Sequence, residues 1–168
     1  MARSHETKAT PTAAELNTLA GRLATDQNTM TLATRSDADA WAAPVYYVFF
    51  ESAFYFLSSP DSRHITEAFE NGQAAAAIYA SGSTWQEIRG LQMTGSIGAV
   101  SGKIEAIQGL SEYLKKFPFT KDFFKNNKLL DPKGFWERFG VKLYRFQPSL
   151  VYYLDNRIRF AFREQVTL

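Results

Sequence analysis

The segment "WAAPVYYVFFESAFYFLSS", residues 41 to 59, places two apolar, aromatic-rich runs on either side of Glu51 and Ser52 alone. Parallel strands need a crossover of a dozen or more residues, so a connection this tight makes the two runs antiparallel neighbours. The same reasoning extends upstream, where "TMTLATRS" precedes the polar turn "DADA" and completes a hairpin with the first aromatic run. Pro44 has no N–H for a ladder, which predicts an edge, a bulge or a place where the sheet opens. Downstream, "QAAAAIYAS" reads as a closely packed strand, and "TWQEIRGLQMTGSIGAVS" as another, with Gly90 and Gly95 suited to bulges or close backbone approach. The tail "VKLYRFQPSLVYYLDNRIRFAFREQVTL" supplies two or three more strands around an Asp155-Asn156 turn.

Helices fill the intervals. Thr12 and Glu15 stand at capping-box spacing ahead of Leu16, Leu19 and Leu23, predicting an amphipathic helix over 13–26. A short helix over 61–71 ends at Asn71 and Gly72, and 104–139 reads as a helical insertion broken by Pro118 and Pro132. The resulting class is mainly β, an antiparallel barrel with helical plugs, formed by one domain spanning 1–168 with a flexible start over 1–11.

Composition removes several functions. A net charge of +2 is too small to draw nucleic acid or a membrane to the whole surface, so an electropositive site must be local. The absence of cysteine excludes disulfides and thiolate metal sites, and His5 and His64 alone cannot build a histidine metal centre. No apolar leader and no stretch near the roughly 20 residues that span a bilayer is visible, which predicts a soluble cytoplasmic protein.

The residues that suggest chemistry lie in "FYFLSSPDSRHITEAFENG", residues 54 to 72, where a strand feeds a helix. A helix N-terminus offers free N–H donors and the positive end of a dipole. Ser58, Ser59 and Ser62 add hydroxyls, and Arg63 a charged fork suited to a phosphate dianion. The competing interpretation uses Ser59 or Asp61 as the cap and Pro60 at the first helical position, leaving Arg63 and His64 on a solvated face. A second stretch, "EYLKKFPFTKDFFKNNKLLDPKGFWERF", interleaves basic and aromatic residues as nucleic-acid platforms and membrane-surface helices do. Leu114, Phe117, Phe119, Phe123 and Phe124 suffice to dock short helices on the barrel with the lysines left in water, so no nucleic-acid or membrane partner is expected, and there the segment could act as a lid. Tyr46, Tyr47, Tyr55 and Trp85 could stack on a planar ligand or belong to the core.

Taken together, "MTLATRSDADAWAAPVYYVF", "FYFLSSPDSRHITEAFENGQAAAAI" and "IRGLQMTGSIGAV" resemble the pyridoxamine 5'-phosphate oxidase-like family of FMN-binding split barrels over residues 13 to 101. The "SRH" of Ser62-Arg63-His64, the Ile88 to Gly95 stretch and Phe117-Pro118 are similar to a subgroup of uncharacterised small bacterial proteins. The resemblance implies a homodimer with flavin sites at the subunit interface. It implies that Ser62 and Arg63 hold the FMN phosphate, with Ser58 beside them and His64 where many relatives carry lysine. It further implies that the backbone of Val45, Tyr46, Tyr47 and Val48 runs along the isoalloxazine, that Thr31 to Thr34 pack nearby, and that Gln92 points toward the phosphate or ring edge. The arginine-rich C-terminal motif that holds pyridoxamine phosphate in the fuller family has no counterpart here, so that substrate is not implied. The expectation is an FMN-dependent oxidoreductase with unassigned catalytic residues and no metal. Its alternatives are a carrier or sensor of flavin, deazaflavin, haem or another tetrapyrrole, and a ligand-free interaction module.

Overall fold

A computed structural model describes residues 10–120 and 139–168. Helix α1 (Ala13–Asp26) opens on the capping box expected of it: Thr12 N–H donates to Glu15 Oε2 at 2.7 Å, and Glu15 N–H to Thr12 Oγ1 at 3.3 Å. Strands β1 (Thr29–Arg35), β2 (Ala40–Phe50) and β3 (Ala53–Ser58) follow, then α2 (Arg63–Asn71), β4 (Ala74–Tyr79), β5 (Arg89–Ala99), α3 (Lys103–Lys116), β6 (Lys142–Asp155) and β7 (Arg163–Gln165). All pairings are antiparallel. The sheet order is β3-β2-β1-β4-β5-β6-β7, and a further β3–β6 pairing closes the first six strands into the barrel that the short connections predict.

The β2–β3 turn shows why two residues are enough. Glu51 and Ser52 both adopt left-handed backbone, φ 47° and 59°, the twist that a two-residue hairpin needs. Pro44 pairs with Thr31 of β1, while the β2–β3 ladder runs only from Tyr47–Phe56 to Phe50–Ala53. Of the three positions open to it, the proline occupies the third, where β2 has left one neighbour. Gly90 and Gly95 are also explained by proximity, since a Cβ at either would meet a backbone carbonyl oxygen, Ile78 O at 2.6 Å or Gln147 O at 2.2 Å. The register of β5 against β6 shifts between Thr94 and Gly95, a bulge where the sequence suggests one.

Inside the barrel, Tyr47, Phe54, Phe56, Phe146 and Tyr153 pack with Met30, Leu32 and Leu91; α1 contributes Leu16, Ala20, Leu23 and Ala24, and α2 contributes Ile65 and Ala68. Burying each of the larger side chains stabilises the fold by about 1.5–3 kcal/mol against its exposure. A smaller outer cluster lies under α3, where Tyr113 and Phe117 cover Val48, Tyr55 and Leu143. Gly109 allows that approach, since a Cβ there would lie 3.1 Å from the Tyr55 ring.

Two boundaries depart from expectation. Helix α2 starts at Arg63 rather than 61, because the chain first makes a turn in which Ser62 N–H donates to Ser59 O at 3.2 Å. The strand β5 begins at Arg89, its expected first residues forming a 3-10 turn at Trp85–Glu87. Helix α3 ends at Lys116, ahead of Pro118, where the sequence predicts a break; Pro132, Phe123 and Phe124 lie outside the described residues.

Candidate functional site

Strand β3 delivers Ser58 to the mouth of the barrel, and the turn after it sets Ser62 as the N-cap of α2, with extended backbone. Neither Ser59 nor Asp61 caps the helix. Ser59 Oγ instead accepts from Asp61 N–H at 3.3 Å, tying the turn, and Ser62 makes no side-chain cap. Its hydroxyl donates to Ser59 O at 2.8 Å and lies 2.9 Å from Ser58 Oγ. His64 Nε2 completes the cluster, 2.9 Å from Ser58 Oγ and 3.3 Å from Ser62 Oγ. Ile65 and Thr66 N–H both donate to Ser62 O, at 2.9 and 3.1 Å, so among the described residues only the first two N–H groups of α2, those of Arg63 and His64, are left without an acceptor, and no side chain caps them. His64 is only 9% exposed, and burial depresses its pKa despite the opposing charge of Glu67, so the imidazole is neutral near pH 7.

Arg63 faces the other way. Its Nε donates to Glu67 Oε1 at 2.7 Å, one turn along α2, and a terminal nitrogen donates to Asp39 Oδ1 in the β1–β2 turn. The guanidinium also lies over the Trp41 ring, 4.8 Å from its centroid. Glu67 is buried and fixed from a second side by Thr34 Oγ1, which donates to Oε2 at 2.6 Å. Those hydrogen bonds, Thr34 first and Arg63 second, hold the Glu67 carboxyl below the usual range. Asp39 is held low by Ser36 and then by Arg63, while Glu67 and then Asp39 raise the Arg63 pKa. The junction thus has two halves, a neutral group in which Ser58 and His64 are buried and Ser62 is partly buried, and a charged group around a guanidinium whose side chain is 37% exposed.

The other candidates divide. Val45 and Tyr47 join the barrel interior, whereas Val48 lies under α3 and Tyr46 is half-exposed against Phe117 and Phe119. Tyr55 is core, and Trp85 is exposed against Phe160. Among Thr31 to Thr34, Thr34 reaches the charged group through Glu67. Gln92 sits on the outer face of β5 opposite Ala77 and Tyr152, and among the described residues no hydrogen bond joins it to the junction. Sequence reasoning missed Glu67 and Asp39. The four-residue spacing from Arg63 is a signal for Glu67; Asp39, in a turn far back along the chain, gives none.

No family model matches the chain. A UPF0306 protein of Klebsiella pneumoniae (strain 342) is 33% identical over 143 residues, covering 84% of this chain and 86% of its own. A haem-binding protein of Mycobacterium smegmatis superposes with a TM-score of 0.68 at 17% identity, covering 95% of this chain but only 60% of its own length. An FAD-binding protein of Mesorhizobium loti gives 0.60 at 15% identity, covering 84% and 92% of the two chains. A candidate pyridoxamine 5'-phosphate oxidase of Listeria innocua gives 0.64 at 11%, covering 83% and 98%. The closed antiparallel barrel with its helices is therefore the split-barrel fold of these proteins.

Proposed function

Because the chain belongs to the UPF0306 family and shares its fold with haem- and flavin-binding proteins, we propose that it is an FMN-binding flavoprotein acting as a small oxidoreductase. The observation that carries this reading is the start of α2, a helix N-terminus without a side-chain cap beside a half-exposed arginine and a serine–histidine cluster. The uncapped N–H groups of Arg63 and His64, together with the guanidinium, are the kind of donor set that a phosphate dianion requires. In this reading Arg63 and the first turn of α2 hold the phosphate within range of the His64 imidazole, and Ser58, Ser62 and His64 also fix the shape of the turn that presents them. Bound FMN would supply hydride or electron transfer, with the protein providing position and field. No described residue is assigned as general acid or base.

A second copy of the chain would complete the site. The outer face of β1, β2 and β4 exposes Ala33, Ala42, Pro44, Ala75 and Ala77, small residues that leave a smooth surface for another subunit. Haem is the second reading, favoured by the M. smegmatis neighbour. Against ligation by His64 stands its Nε2, already directed at Ser58 Oγ.

Purified protein should carry a flavin absorption band rather than a Soret band, and added FMN should raise its thermal midpoint, since a ligand bound only by the native state favours folding. Arg63→Ala should weaken FMN about tenfold or more, the usual scale of a charge-assisted hydrogen bond, and leave riboflavin almost unchanged. Equal losses for both flavins would show that Arg63 serves the fold instead. Reduction of the bound flavin by a nicotinamide donor, with turnover, separates the oxidoreductase from a carrier.

A further inference from the structure

Two carboxylates, Glu67 and Asp39, converge on the single guanidinium of Arg63. They are built differently. Glu67 is buried, is held by Thr34 from β1, and shares a helix with Arg63. Asp39 belongs to an exposed turn, its side chain 59% accessible. That turn does not depend on the Arg63 contact: Ser36 N–H donates to Asp39 O at 2.9 Å, and Asp39 N–H to Ser36 Oγ at 3.2 Å. The Asp39 carboxylate, whose Oδ1 also accepts from Ser36 Oγ at 3.0 Å within the turn, can therefore leave the guanidinium and stay held by Ser36 without opening the hairpin, whereas Glu67 cannot move without stranding Thr34.

We propose that Asp39 is a built-in competitor for the ligand phosphate at Arg63, and that Glu67 is the positioning residue that keeps the fork aimed while Asp39 is displaced. This deepens the FMN reading and rests on it. The physical consequence is selectivity. A ligand bearing a single carboxylate exchanges one monoanion for another and gains little, while a phosphate dianion offers more charge and more acceptor oxygens than the group it removes. Asp39 lowers affinity for every anion but leaves the dianion the most able to displace it. Because an exposed arginine–aspartate pair is weak, the competition is mild and reversible.

The test titrates FMN and riboflavin into full-length wild-type protein, Asp39→Asn and Asp37→Asn, following flavin fluorescence at fixed salt. Asp37 carries the same charge in the same turn, with no hydrogen bond to Arg63. Asp39→Asn should bind FMN roughly threefold to tenfold more tightly with riboflavin unchanged, and Asp37→Asn should gain less than about twofold. In an Arg63→Ala background the gain from Asp39→Asn should vanish, because the effect runs through that guanidinium. Asp39→Ala serves as a second variant, since asparagine can still accept a hydrogen bond. Equal gains from both asparagine variants, or a gain that survives in Arg63→Ala, would assign the effect to the general field and overturn the proposal. Weaker FMN binding by both Asp39 variants would overturn it in the other direction, making Asp39 a support for Arg63. If wild type binds FMN and only the expected gain is missing, the competitor idea fails alone; if no variant binds FMN, the flavin reading has failed and takes this inference with it.

Discussion

Two arginine–aspartate pairs sit in different parts of the barrel and are built to opposite ends. At the β6–β7 turn Asp155 is 1% exposed, and its two oxygens accept from Tyr153 Oη at 2.6 Å, Arg157 N–H at 2.9 Å, and the Arg157 guanidinium through both Nε and a terminal nitrogen. Burial alone would push its pKa up, but the hydrogen bonds from Arg157 and Tyr153 outweigh it and leave the carboxyl below the ordinary value. The carboxylate is closed off there, although the Arg157 side chain itself stays 45% exposed. At the α2 start, Asp39 makes one contact to Arg63 from an exposed turn, and the guanidinium keeps access to solvent. The same two residue types produce a lock where burial of the aspartate completes its coordination and an exchangeable contact where the aspartate lies in an exposed turn.

Substitution can break this contrast. Asp155→Ala leaves the buried Tyr153 hydroxyl without its acceptor, and should cost about 2 kcal/mol or more in chemical denaturation. Asp39→Ala, measured the same way, should show no resolvable change. Similar losses from both would mean that the two pairs do the same structural work, and that Arg63 is not free to exchange partners. Glu67→Ala should fall between them, because it strands Thr34, buried on β1, and nothing else in the core. A loss as large as that of Asp155→Ala would place Glu67 with the lock rather than with the clamp.

How far the contrast could be read beforehand depends on sequence distance. The barrel is legible because its determinants are local: the Glu51-Ser52 connection forbids a parallel partner, and alternation along β1 marks Met30, Leu32 and Thr34 as inward. The serine–histidine group is legible for the same reason, being one short stretch of chain. The start of α2 is less so, because Ser59, Pro60 and Asp61 all carry helix-start signals that a preceding turn absorbs, and only the hydrogen bond from Ser62 N–H to Ser59 O decides between them. The Arg63–Asp39 contact spans 24 residues and arises from the curvature that brings the β1–β2 turn over α2; no local pattern encodes it. Gln92 shows the converse limit, since alternation along β5 turns it to the outer face, away from the junction that the sequence resemblance assigns it to.

The smallest effect tests the neutral half of the junction. Burial holds the His64 pKa below its ordinary 6.5, so the unfolded chain takes up a proton there more readily than the folded one. Above 6.5 the imidazole is neutral in both states and contributes no pH dependence; as pH falls below 6.5 the unfolded state gains protons first and stability declines. Thermal midpoints recorded between about pH 7.5 and about pH 5 should show that decline, and His64→Gln should remove the part due to this residue. A bound phosphate dianion acts against it, favouring the charged imidazole and pulling its pKa back up. Saturating FMN should therefore flatten the wild-type slope, while riboflavin should leave it in place. A slope unchanged by FMN in protein that demonstrably binds it would place the phosphate out of reach of His64, leaving Arg63 and the helix terminus as its holders and reducing the serine–histidine group to a fastening of the turn.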